Sequence, residues 1–423
     1  MKIKLSNEWP YQLLFLIAVI FSYVNFYELS LAVWLIILFI TVKRYYSKTI
    51  IILCAFYFAL VVFGITRAFF YQHNLYDIIR DISYFIKPIV GLLIGYQCFR
   101  SKDNNFFLTT IYVALVISII HFALLANAFM TYNINYVHQI RYYGGYFSDF
   151  ETYAVIILIF HKKFQLNLST RERITLLSII GVSLCLYLAR TNMIQVIIIS
   201  CGLFGLYQLS KKKIIIISAL ILCGIFSYKI IYDMNPSRTA TGFENFLFKI
   251  KNAPKEIYDP YVVNDDSHRF HDNFRSYETK ITILQILNKE DGGLWFGNGF
   301  GAIVNYGTTI HTNDATQVKY SPILHNGYTT VFLKTGIIGL IIYLASMFYL
   351  SFLGKKTDNK YLNNVKLLIN STGIFLFIST LIFLGFYLKL NRELDQQLLD
   401  LILHHILTLL ISTLVRNIFL HIK

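Results

Sequence analysis

Along this chain, long apolar runs alternate with short polar segments. Runs of about 17–25 apolar residues are each long enough to cross about 30 Å of hydrocarbon as a helix. Within lipid the backbone must satisfy its own hydrogen bonds, and at these lengths only helices do so. The alternating ten-residue pattern of a membrane β-barrel is absent. The runs predict helices at about residues 11–27, 29–42, 49–65, 84–99, 106–129, 150–161, 173–189, 192–209, 214–232, 323–353, 367–388 and 396–415. The expected class is an all-α polytopic membrane protein with about twelve transmembrane helices. Nine fall in residues 1–232, a large polar segment covers 233–322, and three more lie in 323–423. The basic start and apolar stretch at 1–27 resemble a signal peptide, but no small-residue cleavage site follows, so an uncleaved first helix is expected.

Composition agrees with this pattern. Hydrophobic residues make up 56% of the chain and charged ones 14%, against about 25% charged in soluble domains. A formal charge of +15 would suit nucleic acid, but its placement argues against that partner. Lys and Arg gather between apolar runs: Lys2/Lys4, Lys43/Arg44/Lys48, Arg100/Lys102, Lys162/Lys163/Arg171/Arg173, Lys211 to Lys213, and Lys355/Lys356/Lys360/Lys366. That is the positive-inside pattern, and it puts the N-terminus in the cytoplasm. The segments at about 66–83, 130–149 and 233–322 then fall on the opposite side. All five cysteines lie inside apolar runs without metal-type spacing and read as small core residues. No cofactor or metal is expected.

The polar segments carry the candidate chemistry. In the largest, Asn264-Asp265-Asp266-Ser267 offers N-cap residues before a predicted helix over 268–289. His268, His271 or Asp272, and Arg275 share one face of it, which can be a solvated face or a binding face. His325, in Ser321-Pro322-Ile323-Leu324-His325-Asn326-Gly327-Tyr328, falls where the chain re-enters the membrane. An ionisable group at that boundary is a site candidate, although a lone interfacial His can simply be solvated. Gly297-x-Gly299-x-Gly301 lacks a surrounding strand–helix–strand unit, so it reads as a tight turn or close packing, not a dinucleotide loop. The Tyr-rich stretch 132–146 reads as an interfacial aromatic belt before a sugar platform. Asp400 and His404, one turn apart, can be a structural or a functional intramembrane pair.

Taken together, five segments resemble the O-antigen polymerase and O-antigen ligase superfamily. The His325-Asn326 pair precedes a helix with Gly336-Ile337-Ile338-Gly339-Leu340, and Phe296-Gly297-Asn298-Gly299-Phe300-Gly301 resembles the family's Phe-Gly-x-Gly-Phe-Gly segment. Arg275 matches the Arg of the large loop, Arg141-Tyr142-Tyr143-Gly144-Gly145-Tyr146-Phe147 the Arg-x-x-Gly-x-x-Phe type, and Leu188-Ala189-Arg190-Thr191 the Arg-containing turn. The resemblance spans about 141–350, and the remaining helices contribute only topology.

The resemblance implies a glycosyltransferase-C-like (GT-C-like) membrane enzyme of the bacterial inner membrane with its large loop in the periplasm. Family members transfer a glycan from an undecaprenyl-pyrophosphate carrier to a sugar hydroxyl. A bidentate guanidinium suits a pyrophosphate without a metal. Arg190, Arg275 and Arg141 are the candidates for that role, with Arg80 and Arg269 as further ones. His325 would be the general base and the outcome inversion. The implied partners are the lipid-linked oligosaccharide, membrane lipids, a chain-length regulator and a flippase. Polymerase is preferred over ligase because that class is the more numerous. A transporter or flippase would show repeated halves, and none is visible. A metal-using transferase with Asp77 or Asp81 as base is the remaining alternative.

Overall fold

The structure, a computed structural model, describes residues 9–22, 27–99, 105–132, 134, 137–145, 149–207, 210–258, 267–287, 293–311, 317–353 and 358–390. Among these the chain is mostly helical. In order they form α1 (Trp9–Ser22), α2 (Tyr27–Ile40), α3 (Lys48–Ala68), α4 (Leu75–Cys98), α5 (Asn105–Thr131), α6 (Val137–Gly144), α7 (Asp149–Ile159), α8 (Thr170–Leu186), α9 (Arg190–Leu203) and α10 (Lys211–Asp233). The large polar segment holds α11 (Phe243–Tyr258), α12 (Ser267–Leu287), α13 (Gly293–Phe296), β1 (Val304–His311) and β2 (Gln317–Ser321), followed by α14 (Gly327–Ser351) and α15 (Lys360–Leu390). Among the described residues, four helices are long and apolar enough to cross a membrane: Lys48–Ala68, Phe106–Thr131, Lys211–Asp233 and Gly327–Ser351. Three shorter ones, Trp9–Ser22, Glu28–Ile40 and Arg190–Leu203, are also apolar.

Each of the first eleven predicted apolar runs coincides with a helix, while the run at 396–415, with Asp400 and His404, lies outside the described residues. Among the differences from the expected ranges, two helix starts and one added helix have a local reason or matter for the site. Helix α4 starts at Leu75, not 84, because the Asn74 side chain accepts from the Tyr76 N–H at 3.0 Å and caps it. Its first turns are polar, which hid them from an apolar-run criterion. Helix α14 starts at Gly327, not 323, because Asn326 is extended. Helix α6 lies within a segment read as a connection.

The antiparallel β1–β2 hairpin was not expected from the helical pattern. Its trace is a short alternation, with Val304 and Tyr306 buried between exposed Ile303, Asn305 and Gly307.

Contacts sort the connections into two sets. On one side, Lys43 donates to Tyr96 and Phe99 carbonyls, and Asn364 donates to the Lys163 carbonyl. On the other, Arg67, His73, Asp81 and Arg190 all bond to residues of the large polar segment. The second set joins the connection between α3 and α4, and the start of α9, to the large polar segment.

Helix α14 is broken within its span. Gly336 has φ 64° and ψ −161°, a region open essentially to glycine alone. The break frees carbonyls, and the glycine-rich turn after α13 fills it. The Asn298 and Gly299 N–H groups donate to the Leu333 and Lys334 carbonyls at 2.9 and 3.0 Å. A Cβ on Gly297 would lie 2.4 Å from the Thr335 nitrogen, so only glycine permits this approach. Phe300, fully buried, inserts among Leu60, Val61, Ala68, Phe85 and Val331. Beside it, Lys334 is fully buried and donates to Asp81 at 2.5 Å and to the Ala302 carbonyl, while the Gly301 N–H donates to Asp81 at 2.6 Å. A second buried cluster ties α5, α7 and α8: Glu151 accepts from Ser118 at 2.7 Å and from Ser183, which also bonds His121.

Gly336→Ala would place a Cβ 2.5 Å from the Trp295 carbonyl oxygen. With backbone strain and overpacking together it is expected to cost about 2–5 kcal/mol. Asp81→Ala, which leaves Lys334 buried without its carboxylate, is expected to cost about 3–5 kcal/mol. Thermal unfolding in detergent micelles measures both, and wild-type melting of either variant would contradict this account of the α14 break.

Candidate functional site

Helix α12 turns its second half inward. Ser276, Glu278, Thr279, Thr282 and Ile286 are buried on it, at the three- and four-residue steps of one face. A fully buried carboxylate such as Glu278 requires partners, and it has three contacts. The Tyr306 hydroxyl, from the hairpin, donates to Oε1 at 2.7 Å. The His325 N–H donates to Oε2 at 2.8 Å, and His325 Nδ1 lies 3.3 Å from Oε1.

Burial, and then the neighbouring Glu278 carboxylate, raise the Tyr306 pKa above the ordinary tyrosine value, so its hydroxyl remains a donor. The Asn326 amide donates to Thr279 at 3.2 Å, which fixes the segment before α14 onto α12. Phe274 meets the His325 ring edge to face at 5.1 Å.

The His325 side chain is nonetheless 55% exposed. An imidazole that gives Nδ1–H to a carboxylate keeps its Nε2 lone pair for another group. In the His325–Glu278 pair the carboxylate is buried and the imidazole faces out, the arrangement that a base held by an orienting group would need.

The candidate arginines fall into two groups. Arg275 is exposed on α12, three residues before Glu278 and so one turn away. Arg190, at the first residue of α9, pairs with Glu256 of α11 at 2.6 Å and donates to the Lys249 carbonyl. The Glu256 carbonyl in turn accepts from Ser276, the neighbour of Arg275, at 2.5 Å. Glu256 thus links the Arg190 end of α9 to the Arg275 turn of α12. Arg141 lies on α6, which packs against α5 and α11. The Arg269 side chain lies outside the described residues. Arg80, on α4, has carboxylate partners of its own helix, 2.8 Å from Asp77 and 3.8 Å from Asp81.

Residues Glu278, Tyr306 and Glu256 escaped the sequence reading. Glu278 is 47 residues from His325, a separation at which no spacing rule operates. A faint signal existed, since Glu278 is the acid at which α12 turns from polar to apolar. Asp81, weighed above as a base, is buried and taken up by Lys334 and Gly301. Among the described residues, no three His, Cys, Asp or Glu side chains group as metal ligands.

Glu278→Leu is expected to strand the Tyr306 hydroxyl and the His325 N–H, at about 1–3 kcal/mol for each buried donor. Glu278→Gln and Tyr306→Phe should couple by about 0.5–3 kcal/mol in a double-mutant cycle on unfolding. Additive effects would show that the two side chains do not share this bond.

No family model, curated protein or solved structure matches the chain. The resemblance set out above rests on its motifs.

Proposed function

We propose that the chain is a glycosyltransferase that extends a repeat-unit glycan, using an undecaprenyl-pyrophosphate-linked donor and a sugar hydroxyl as acceptor. In this reading it is an O-antigen-type polymerase with twelve spans and a GT-C-like architecture in the bacterial inner membrane, the 233–322 segment facing the periplasm. The observation that carries it is the His325–Glu278 pair, with its imidazole outward and Arg275 one turn away on the same helix.

His325 Nε2 takes the acceptor hydroxyl proton as the oxygen attacks the anomeric carbon. The bond from that carbon to the phosphate oxygen breaks, the electron pair leaves on the carrier pyrophosphate, and configuration inverts. Buried Glu278 holds the imidazole in place and offsets its charge once protonated. Arg275, with Arg190 held close by Glu256, receives the charge developing on the leaving group. Arg141, on the α6 that packs against α11, supports this pair, and Arg269 is a further candidate for the same role.

His325→Ala is expected to reduce transfer about 10²–10⁴-fold, the usual range for a general base. Polysaccharide length in cells with normal protein level reads this directly, and wild-type length would sink the assignment. Arg275→Lys keeps the charge but loses the bidentate fork and is expected to abolish most polymer. Deletion separates polymerase from ligase. Single-unit caps on the lipid acceptor fit the polymerase, whereas a bare acceptor core would assign the chain as the ligase.

A further inference from the structure

His121, in the second half of α5, is buried beside Glu151 of α7 and Ser183 of α8. Ser183 gives its one hydrogen to the Glu151 carboxylate, so His121 Nδ1–H is the donor at the 2.8 Å contact with Ser183. The imidazole is thereby fixed in its plane, and the segments of two candidate arginines rest on it.

The first segment carries Arg190. The Tyr187 ring stacks on the His121 ring, with centroids 3.8 Å apart and planes 14° apart. Tyr187 ends α8 and stands three residues before Arg190. Between them Leu188 has φ 51°, a left-handed conformation that is costly for a bulky side chain. A strained turn persists only where its surroundings hold it, and the stack on His121 is such a hold.

The second segment carries Arg141. Gly144, one helical turn further on, closes against the edge of the same ring: a Cβ there would lie 2.7 Å from His121 Nε2 and 3.0 Å from Leu125 Cδ2. Gly144 belongs to α6, where alanine would be the better helix former. The imidazole and not the backbone therefore requires glycine, because the bonded and stacked ring cannot swing aside. This contact fixes the turn of α6 that carries Arg141. Both segments also meet α11, through the Arg190 bond to the Lys249 carbonyl and through the packing of α6.

We propose that His121 is a positioning residue for binding of the donor pyrophosphate. Through Tyr187 and Gly144 it sets the Arg190 and Arg141 turns relative to one another. This role rests on the glycosyl-transfer reading, in which both arginines serve the donor. A histidine that only fills the core would change how much protein folds, but not how tightly the folded protein binds an anion.

The test uses the full chain in nanodiscs, with the Kd for inorganic pyrophosphate read from phosphorus line broadening. The wild-type protein should bind, and Arg190→Gln should lose binding. His121→Ala and Gly144→Ala should each weaken the Kd about tenfold, since a small misplacement of an oriented group is enough to weaken its contact. The double variant should bind no more weakly than His121→Ala alone, because the added methyl acts only through the ring. Should His121→Ala not fold, Gly144→Ala, which leaves the buried network in place, decides.

A wild-type Kd in either single variant, or two effects that multiply in the double variant, would overturn the proposal. Loss of binding in Arg190→Gln beside a wild-type Kd in His121→Ala would remove the role of His121 and leave the donor reading standing. Wild-type affinity in Arg190→Gln, or no pyrophosphate binding by the wild-type protein, would overturn both.

Discussion

The arrangement around the large polar segment depends on one break in one helix. Where α14 interrupts at Gly336, its backbone loses internal partners in a place where water is scarce. The Asn298–Gly299 amides restore them, and the turn that supplies them is seated between α3, α4 and α14. The Lys334–Asp81 pair closes the same junction from the side-chain direction. A buried pair of this sort contributes little net stability over an apolar replacement, but losing one member is costly. Its effect here is to hold α4, α14 and the glycine-rich turn in a single register.

That junction in turn positions the candidate chemistry. His325 lies nine residues before Lys334, on the short extended segment between β2 and α14. With the start of α14 held, the segment is confined between α12 on one side and α4 on the other. Glu278 and Thr279 then bond to it from α12, and Tyr306 of the hairpin bonds to Glu278. The imidazole can be exposed and still fixed, because its backbone and one ring nitrogen are tied to a buried carboxylate. The arginines are held in the same manner, with Glu256 joining α9 to α12 through one side chain and one carbonyl.

How far the sequence could be read varies with the range of the interaction. Apolar runs located eleven helices because hydrophobicity acts on consecutive residues. The apolar criterion placed the start of α4 nine residues late, since Asn74, Asp77 and Arg80 make its first turns polar. The glycine triplet was readable as a packing turn, but not its target, because Leu333 and Lys334 lie far along the chain. His325 could be singled out from its place at a membrane boundary. Its partner Glu278 could not, because no local pattern ties the two.

Sequence alone determined that this is a helical membrane protein with one large polar segment and a basic face, because those properties follow from local composition and from the cost of exposing backbone to lipid. Tertiary structure decided which polar side chains meet. It set Glu278 beneath His325, gave Arg190 to Glu256, and paired Arg80 with Asp77 on α4. Pairings of this kind depend on how helices and a hairpin pack in three dimensions, and residue spacing carries no record of them.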